Sequence, residues 1–360
     1  MKKVLCIIDT FRIGGGAQTQ LAGLCVMLKR HGYDVHALSY HVVDDKNSLN
    51  PYLRENGVST SCLVKATNMW SKYQGVKKEI KRIKPNTVIA YIDGPTIICS
   101  AIKALGGKFR LIVSERNVTQ KLTLHERIKF QLYHFADTIV PNAHTQAAFI
   151  TNNYPKLSNK VQTISNFVDT TKFQIRPSSN TLNEKLGILI VARVNPQKNL
   201  INFIEAINIL KKYGLNFHVD WYGKKDKEYF IKCCNRIEEY GLSDYIHFYD
   251  ATKDINKIYC APKYCVFCLP SLFEGCPNTL AEAMSCGLPV LCSNVCDNGR
   301  YIDGNGILFN PLDVNSITES IIKFTTLSAS EREKMRHISR DRAEKYLSAK
   351  SFIKNYIKII

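Results

Sequence analysis

The feature that constrains the fold most is a repeated alternation of short apolar segments with longer segments that read as helices. In the first half, apolar segments such as residues 3–9 and 87–91 are bounded by turn residues. Near residue 185 the same alternation starts again, with the apolar segment 185–192. Continuous apolar strands that alternate with helices are typical of a parallel sheet covered on both faces. The sequence therefore predicts two doubly wound α/β domains in tandem.

The predicted elements follow one another closely in both halves of the chain. Ligands of such sheets bind outside the carboxyl ends of the strands, so two domains that face one another would enclose a ligand cleft. A linker is expected within residues 166–181, which contain Pro177 and Asn180. The predicted strands are 3–9, 34–40, 58–64, 87–91, 110–114, 138–140, 185–192, 216–222, 245–249, 265–269, 289–292 and 306–309. The predicted helices are 17–30, 50–55, 72–84, 122–135, 145–152, 200–213 and 228–240, with further helices in the later gaps and at the end of the chain.

The charge of the chain is strongly positive and uneven. The formal net charge is +18; residues 1–180 contain 25 Lys and Arg against 11 Asp and Glu, and residues 181–360 contain 24 against 20. A basic first half favours an anionic partner, such as nucleic acid, phospholipid or a phosphorylated acceptor. The alternative is a lysine-rich solvated surface. The sequence contains no run of about 18 uncharged apolar residues, so no membrane span is predicted. The first apolar segment is too short for a signal peptide.

The 13 cysteines are scattered, and most lie in apolar runs, as is typical of a reduced cytosolic protein. Cys265 and Cys268 have the spacing of a zinc ligand pair, but no second pair follows at a suitable distance. Alternation along a strand would also direct the two side chains to opposite faces. The sequence therefore predicts no metal site.

The most informative motif lies at residues 271–290. Pro277 suits the first turn of a helix, and Gly287 suits its end. The N–H groups at such a helix start form an anion site, which suits a diphosphate or the polar edge of a sugar. Glu274 lies just before the helix and Glu282 inside it, where they could contact different parts of one ligand. The alternative is a helix with favourable acidic residues near its start, which accounts for Glu282 but not for the whole turn.

A second motif, at residues 191–199, joins the first strand of the second domain to its first helix. Arg193 ends the strand and Lys198 lies at the start of the helix. Two cations on one strand-to-helix turn can neutralise a diphosphate and oppose the charge that grows on it as it leaves. The alternative is a pair of surface bases near unrelated acids. Because the motif at residues 271–290 occurs in the same chain, a diphosphate-binding role for Arg193 and Lys198 is favoured.

Three glycines, Gly14, Gly15 and Gly16, follow the first strand of the chain. Glycine allows close backbone approach and positive φ. Their spacing differs from the G-x-G-x-x-G fingerprint of dinucleotide-binding proteins. They suit a loop that closes over a phosphate or an acceptor, with a simple tight turn as the alternative.

The combination resembles glycosyltransferase family 4, whose members are retaining enzymes of the GT-B fold. The pair Arg193 and Lys198 is similar to that family's donor-diphosphate motif. Glu274 and Glu282 are similar to its two glutamates separated by seven residues. The resemblance extends over nearly the whole chain, and residues 271–290 are its most specific part.

Shorter segments extend the resemblance. Residues 14–18 look like the family's N-terminal glycine loop, and residues 164–169 look like its interdomain segment. Residues 114–117 are similar to a motif of bacterial transferases that build polysaccharides and lipid-linked oligosaccharides. Residues 351–357 look like the terminal helix that returns to the first domain in GT-B proteins. The resemblance thus implies an acceptor-side domain at residues 1–168 with a crossover helix at about 346–360, and a nucleotide-sugar-binding domain at 169–345.

The resemblance also implies roles for single residues on the donor side. Arg193 and Lys198 would bind the diphosphate and stabilise its departure. Glu274 would hold the hydroxyl groups of the donor sugar, and Glu282 would bind those of the ribose. Arg193, Lys198 and Glu274 would thus be the catalytic residues. The remaining donor-binding positions would be Gly15, Gly16, Gly275, Cys276, Pro277, Asn278 and Thr279.

The acceptor side departs from the family pattern. The resemblance implies that Glu115, Arg116 and Asn117 line the sugar or acceptor side. Many relatives carry a histidine at the end of a first-domain strand near the donor sugar. Here the strand ends offer Asp93 or Glu115 for that place, and His144 reads as a structural residue.

These interpretations lead to one functional expectation. The chain is expected to be a retaining, metal-independent glycosyltransferase without a cofactor, which uses a nucleotide-diphosphate sugar, by family frequency a UDP-sugar. No Asp-x-Asp triplet occurs, so the metal-dependent GT-A arrangement loses its usual support. The acceptor would be a glycan or a polyprenyl-diphosphate-linked oligosaccharide in O-antigen-type or capsule-type polysaccharide synthesis. The expected location is the cytoplasm, with peripheral binding to anionic lipid on the inner face of the cytoplasmic membrane.

Three alternatives are open at this stage. A nucleotide-sugar epimerase or a sugar phosphorylase would keep the fold and change the reaction. A basic nucleic-acid-binding protein is disfavoured, because no basic and aromatic residues interleave on a recognisable module. A nucleotide-sugar-binding protein without activity is disfavoured by the presence of all four charged donor-side residues, Arg193, Lys198, Glu274 and Glu282.

Overall fold

A computed structural model of the chain describes residues 1–63, 67–176 and 185–360. The chain forms two compact units. The first unit consists of Met1–Asn166 and Lys350–Ile360, and the second consists of Phe167–Ala349. The domain boundary predicted from the sequence lies between residues 168 and 169. The part of the expected linker that contains Pro177 and Asn180 lies outside the described residues.

The first unit contains a parallel sheet whose six described strands are β1 (Lys3–Ile8), β2 (Asp34–Ser39), β3 (Ser59–Cys62), β4 (Thr87–Tyr91), β5 (Arg110–Glu115) and β6 (Thr138–Pro141). Its strand order is β3-β2-β1-β4-β5-β6. Its helices are α1 (Gly16–Arg30), α2 (Asn50–Glu55), α3 (Met69–Ile83), α4 (Asp93–Ala104), α5 (Leu124–Leu132), α6 (His144–Asn153) and, from the end of the chain, α14 (Ala349–Ile359).

The second unit repeats this architecture. Its sheet has six described strands, β7 (Leu186–Val191), β8 (Phe217–Tyr222), β9 (Ile246–Tyr249), β10 (Val266–Leu269), β11 (Val290–Ser293) and β12 (Gly306–Phe309). Their order is β12-β11-β10-β7-β8-β9. Its helices are α7 (Leu200–Lys212), α8 (Lys227–Glu239), α9 (Ile255–Tyr259), α10 (Asn278–Ser285), α11 (Asn298–Tyr301), α12 (Val314–Thr326) and α13 (Ala329–Leu347).

The central strands are buried because helices cover both faces of each sheet. Along β7, Ile188 and Ile190 pack into one apolar cluster and Leu189 into the cluster on the opposite face. This alternation follows from the two-residue repeat of a strand. Complete burial of one such side chain contributes about 1.5–3 kcal/mol, so each sheet has a substantial core of its own.

The strand order places a switch point in each sheet. In the first sheet β1 pairs with β2 on one side and β4 on the other. In the second, β7 pairs with β8 and β10. The chain leaves neighbouring strands in opposite directions at such a point, which opens a crevice at their carboxyl ends. The loops after β7 and β10 hold the motifs at residues 191–199 and 271–290, so both donor motifs lie at one switch point.

The prediction of two doubly wound α/β domains is confirmed, and the strand ends differ from the predicted ones by at most two residues. Three details were missed or wrong. The helix α4 was not predicted, and the predicted helix 122–135 is the shorter α5 followed by a 3₁₀ turn at Tyr133–Phe135. Pro277 takes the N-cap position of α10 rather than its first turn. The predicted cleft between the domains stays a prediction.

The C-terminal segment adds α14 to the first unit. The Tyr356 hydroxyl lies 2.7 Å from the hydroxyl of Tyr91 on β4, and both rings are buried. Arg110 Nε donates to the carbonyl oxygen of Ile359 at 2.6 Å. These contacts anchor the helix to the sheet. Within the described part of the chain, no helix combines the length and the apolar character that crossing a bilayer requires.

Candidate active site

The turn after β7 is fixed by buried hydrogen bonds. Trp221 Nε1 donates to the carbonyl oxygen of Ala192 at 2.8 Å, which holds the strand end beside β8. The Asn195 side chain accepts from the backbone N–H of Lys198 at 3.3 Å and so caps the short 3₁₀ turn that follows. Arg193 is exposed between these two anchors and forms no ion pair with the described residues. Its guanidinium is therefore available to an anion.

The two donor motifs meet through Lys198 and Glu274. Lys198 Nζ forms a close ion pair with Glu274 Oε1, and the side chains are only 12% and 7% exposed. Backbone contacts hold the two loops in register. Gln197 Nε2 donates to the Phe273 carbonyl oxygen at 2.8 Å, and the Leu272 N–H donates to the Gln197 carbonyl oxygen at 2.8 Å. The structure thus brings a cation and an acid from distant parts of the sequence to one sheet edge.

The start of α10 lies beside this pair. Pro277 has an extended conformation at the N-cap and offers no side chain to cap the helix. The N-terminal end of α10 therefore offers partial positive charge at Asn278 and Thr279. Cys276 is buried, with its sulfur 3.6 Å from the Tyr301 hydroxyl, and Gly275 is partly exposed. At the other end, Gly287 has φ +72°, as the predicted helix end requires.

Glu282 lies one turn into α10 and makes a contact that the sequence did not reveal. The buried Tyr259 hydroxyl donates to Glu282 Oε2 at 3.1 Å and also lies 3.3 Å from the Thr279 carbonyl oxygen. Burial raises the pKa of Glu282 to about 7, against the opposing effects of Tyr259 and Lys172. Near neutral pH this carboxyl group is thus present in both its protonated and its ionised form.

The glycine loop of the first unit opens α1. Gly14 has φ +87°, a conformation that strains any residue with a Cβ atom. Gly15 is the N-cap of α1, without a side-chain cap, and Gly16 is the first residue of the helix. A Cβ atom on Gly15 would lie 1.9 Å from Gln18 Oε1. Only the flexible Gln18 side chain would have to move for such an atom, whereas the positive φ of Gly14 disfavours any other residue there. The approach of the loop to a phosphate stays a prediction.

Glu115 belongs to a buried polar network rather than to an open surface. Its side chain and that of Lys129 on α5 are each 3% exposed, and Lys129 Nζ lies 3.0 Å from Glu115 Oε2. The Tyr133 hydroxyl donates to the other carboxylate oxygen. Burial lowers the pKa of Lys129, but Glu115 and Asp93 outweigh that effect and raise it above its ordinary value. Glu115 is thus fully engaged within the first unit.

Asp93 is the more accessible of the two candidate acids. It begins α4 at the carboxyl end of β4, directly after Ile92, whose φ is +64°. Its side chain is 45% exposed, and Lys129 Nζ lies 3.1 Å from its Oδ1. Asp93, His125 and Glu126 have potential metal ligands within 4.8 Å of one another. The Lys129 ammonium also pairs with Glu126 at 2.8 Å, and its positive charge opposes a metal cation there.

The remaining acceptor-side candidates differ in exposure. Arg116 is buried, with its guanidinium 4.7 Å from the centre of the Tyr91 ring, and it donates to Asn166. These contacts indicate a structural role for Arg116. Asn117 is exposed. His144, the first residue of α6, is exposed as well.

Sequence reasoning missed Tyr259, Lys129 and Tyr133. Lys129 lies in a helix with Arg127 and Glu126, which reads as a solvated face. Only the fold brings three carboxylates around it. Tyr259 lies in a short helix without a recognisable motif. The capping role of Asn195 could have been predicted from the sequence, because Asn followed by Pro is typical of the start of a helix or turn.

Comparison with known proteins identifies the second unit. Residues 171–342 match the family model described as "Glycosyl transferases group 1". This segment is a group 1 glycosyltransferase domain. It contains both donor motifs, so the Lys198–Glu274 pair lies inside the transferase domain.

Two curated bacterial relatives are glycosyltransferases by name. The O-antigen chain mannosyltransferase B of Escherichia coli is 36% identical over 75 residues, which are 21% of this chain and 19% of the relative. A Campylobacter jejuni enzyme is 24% identical over 303 residues, which are 79% of this chain and 77% of that enzyme. It is named as an α-1,4-N-acetyl-D-galactosaminyltransferase acting on a GalNAc-GalNAc-diNAcBac-PP-undecaprenol acceptor.

A solved structure shows the same fold over the whole length. Anabaena Alr3699/HepE, crystallised with UDP and glucose, has a TM-score of 0.85 at 14% sequence identity and covers 99% of both chains. The transferase domain thus belongs to a chain with the two-domain Rossmann-like GT-B fold.

Proposed function

We propose that this chain transfers a sugar from a UDP-sugar to a lipid-linked oligosaccharide or a growing surface polysaccharide, with retention of anomeric configuration. The observation that carries the proposal is the Lys198–Glu274 pair at the switch point of the second sheet, beside the uncapped start of α10. The names of the two bacterial relatives support the acceptor class, and the UDP in the HepE structure supports the nucleotide.

The charges suggest how the donor would be held. A diphosphate beside α10 would attract Arg193 and compete with Glu274 for Lys198. Glu274, released from part of that ion pair, would then accept hydrogen bonds from sugar hydroxyl groups. Glu282 would hold the ribose. In the transition state the two cations and the helix start would oppose the charge on the leaving UDP, which is the largest contribution expected in such a site.

Retention requires the acceptor hydroxyl group to attack from the face that UDP leaves. In the proposed mechanism a phosphate oxygen of the leaving group takes the acceptor proton, so no protein nucleophile is needed. The protein contributes positioning and charge stabilisation. Neither a metal ion nor a cofactor has a role in this scheme. The name of the Campylobacter relative gives an α-1,4 linkage, which a retaining reaction would form from a donor whose sugar is α-linked.

The first test is a screen of nucleotide sugars by thermal stabilisation, because a ligand that binds only the folded state raises the melting temperature. Stabilising donors are then incubated with undecaprenyl-diphosphate-linked saccharides, and the products are identified by mass spectrometry. Transfer supports the proposal. Conversion of the donor without an acceptor would instead indicate an epimerase, and the absence of stabilisation by any nucleotide sugar would overturn the proposal.

We propose that α3 presents a surface suited to anionic lipid, which would fit an acceptor carried by lipid. Met69 and Trp70 at the start of this helix are 56% and 68% exposed, and the Trp70 ring stacks on Tyr73 with centroids 5.6 Å apart. The rest of the helix carries Lys72, Lys77, Lys78, Lys81 and Arg82, and Arg82 forms an ion pair with Glu79 of the same helix. Exposed aromatic residues beside cations suit the interface of an anionic bilayer, where each cation contributes about 1 kcal/mol.

Flotation with vesicles tests this surface. We expect binding to vesicles that contain anionic lipid at low salt, and release at high salt because the charges are screened. Trp70→Ala should weaken binding. The matched control is Tyr213→Ala, since Tyr213 is 69% exposed on the second unit. An equal loss of vesicle binding in both variants, or no binding of the wild type at low salt, would exclude a role for this surface.

A further inference from the structure

Tyr259 is a completely buried tyrosine whose ring is held in place by other aromatic residues. It is the last residue of α9. Its ring packs edge-on against Phe173, with centroids 5.9 Å apart, and lies 6.0 Å from the ring of Phe267 on β10. These contacts fix the position of the hydroxyl oxygen, so the freedom that is left to the group is rotation of its hydrogen.

Two acceptor oxygens lie within hydrogen-bonding distance of that hydroxyl group. Glu282 Oε2 is 3.1 Å away, and the carbonyl oxygen of Thr279 is 3.3 Å away. The hydroxyl group has a single hydrogen, so it donates fully to one of these oxygens at a time. Glu282 is partly exposed, and among the described residues no hydrogen bond reaches its other carboxylate oxygen, Oε1. A ligand can therefore reach the carboxylate on the side that Tyr259 leaves open.

We propose that Tyr259 is a positioning residue for nucleotide binding: its hydroxyl group holds Glu282 Oε2 and so presents Oε1 to the ribose hydroxyl groups. The inference rests on the proposed function, because it takes Glu282 as the residue that holds the ribose. Tyr259 acts through Glu282 and not through a contact of its own with the nucleotide.

The two acceptors allow Tyr259 to serve both protonation states of Glu282. While the carboxylate is ionised, the tyrosine hydroxyl donates to Oε2. When the carboxyl group is protonated, it donates to the tyrosine oxygen, and the tyrosine hydrogen turns to the Thr279 carbonyl oxygen. Burial raises the pKa of Glu282 to about 7, and the hydrogen bond from Tyr259 is the larger of the two effects that oppose this rise. The loss of that hydrogen bond should therefore favour the protonated form.

The other groups near Glu282 leave this task to Tyr259. Lys172 contributes positive charge from the start of the second unit, but it is exposed and forms no ion pair with Glu282. The thiol of Cys286, which follows the last residue of α10, is buried and is a weak donor. Burial raises the pKa of Tyr259 well above its ordinary value, so its hydroxyl group keeps its hydrogen near neutral pH. Among the described residues, Tyr259 is thus the side-chain donor that orients the carboxylate.

The experiment measures the affinity of the full-length protein for UDP and for 2′,3′-dideoxy-UDP by calorimetry from pH 5 to pH 8. The second nucleotide lacks both ribose hydroxyl groups, so the ratio of the two affinities isolates the ribose contact. The diphosphate titrates in both nucleotides, and its effect cancels in the ratio. For the wild type we expect the ratio to rise with pH as Glu282 ionises, because a carboxylate accepts hydrogen bonds more strongly than a carboxylic acid does.

Tyr259→Phe removes the hydroxyl group and keeps the packed ring. We expect the ratio to fall roughly tenfold at pH 7 and its rise to move to higher pH, since the ionised form of Glu282 loses a hydrogen bond. Replacing Tyr259 by 3-fluorotyrosine should move the rise to lower pH, because fluorine makes the phenol a stronger donor. The matched control is Tyr264→Phe, which removes another buried hydroxyl group, one that donates to Asp220 Oδ2 at 2.7 Å, and it should keep the wild-type ratio.

Each outcome decides a separate point. If the wild type prefers UDP and Tyr259→Phe shows the same ratio and pH profile, the inference is wrong and the proposed function stands. Equal losses of affinity for both nucleotides would also overturn the inference, because Tyr259 would then have only a structural role. If the wild type shows no preference, or binds no UDP, the ribose contact of the proposed function fails and the inference fails with it. If Tyr259→Phe does not fold, the fluorotyrosine protein supplies the test, and an unshifted pH profile there would overturn the inference.

Discussion

Replacing Glu282 with Gln should stabilise the free protein and weaken nucleotide binding at the same time. The wild-type carboxyl group has a pKa of about 7 in the folded chain, raised mainly by burial. In the unfolded chain a glutamate ionises near ~4.3. Between these two values the folded protein retains a proton that the unfolded chain has lost. The free energy of unfolding therefore falls as the pH rises between these two values. Above pH 7 the full destabilisation by the ionised, buried carboxylate is present.

The magnitude follows from the difference between the two pKa values. A difference of roughly 2.5 to 3 units at about 1.4 kcal/mol per unit gives a cost of about 3 to 4 kcal/mol above pH 7. Glutamine cannot ionise and avoids this cost, while it keeps an oxygen for the Tyr259 hydroxyl. For a domain of this size about 1 kcal/mol shifts the melting temperature by roughly 2–4 °C. We expect Glu282→Gln to melt several degrees above the wild type at pH 8 and close to it at pH 5.

The assay is thermal unfolding at both pH values, with UDP calorimetry at pH 8. The matched control is Glu319→Gln on α12, where the side chain is exposed, and we expect no shift at either pH. UDP affinity of Glu282→Gln should fall by roughly tenfold or more, because a charged acceptor of ribose hydrogen bonds is lost, at about 1.5–3 kcal/mol. A variant that is less stable than the wild type at pH 8 would refute the reasoning.

Three further predictions concern the charged networks and the glycine loop. Lys129→Met should lower the free energy of unfolding by about 3–5 kcal/mol at pH 7, because Glu115 is left as a buried unpaired charge. In thermal unfolding, the difference in stability from the wild type should be smaller at pH 5, since that carboxylate then takes up a proton. Lys198→Met and Glu274→Gln should each destabilise the protein. The double variant should recover stability without recovering sugar transfer, and recovery of both would show that the pair has only a structural role. Gly14→Ala should lower stability by about 1–2 kcal/mol, because alanine adopts the positive φ of this position only at a cost. Chemical denaturation measures this loss, and an unchanged midpoint would contradict the prediction.

The strands could be predicted well because burial on both faces gives them continuous apolar sequences. The segment β4 was predicted with its observed ends, Thr87 and Tyr91. The helix α4 was missed because Gly94 and Pro95, which follow at once, read as a turn. Proline is accepted in the first turn of a helix, where its missing N–H has no partner to lose. Local signals therefore describe the strands better than the helices that begin at unusual backbone conformations.

The candidate site could be predicted only in part. The motifs around Lys198 and Glu274 could be found in the sequence, and the strand order explains why they meet, since both follow strands at the switch point. Their direct ion pair was not predicted. Glu115 was taken as an acceptor-side residue because it ends a strand, yet its burial depends on Lys129 and Tyr133, which lie on a helix and a turn. Pairings across distant elements are a property of the fold and leave no local signal.

The most direct test of the central claim compares UDP with uridine, because the ratio of their affinities isolates the diphosphate. Calorimetric titrations should be made with the wild type, Arg193→Ala and Lys198→Ala. One charge-assisted contact contributes about 1.5–3 kcal/mol, so the ratio should fall roughly 10- to 150-fold in each variant, with little change for uridine. An unchanged ratio in both variants would contradict the claim that these two cations hold the diphosphate of the donor.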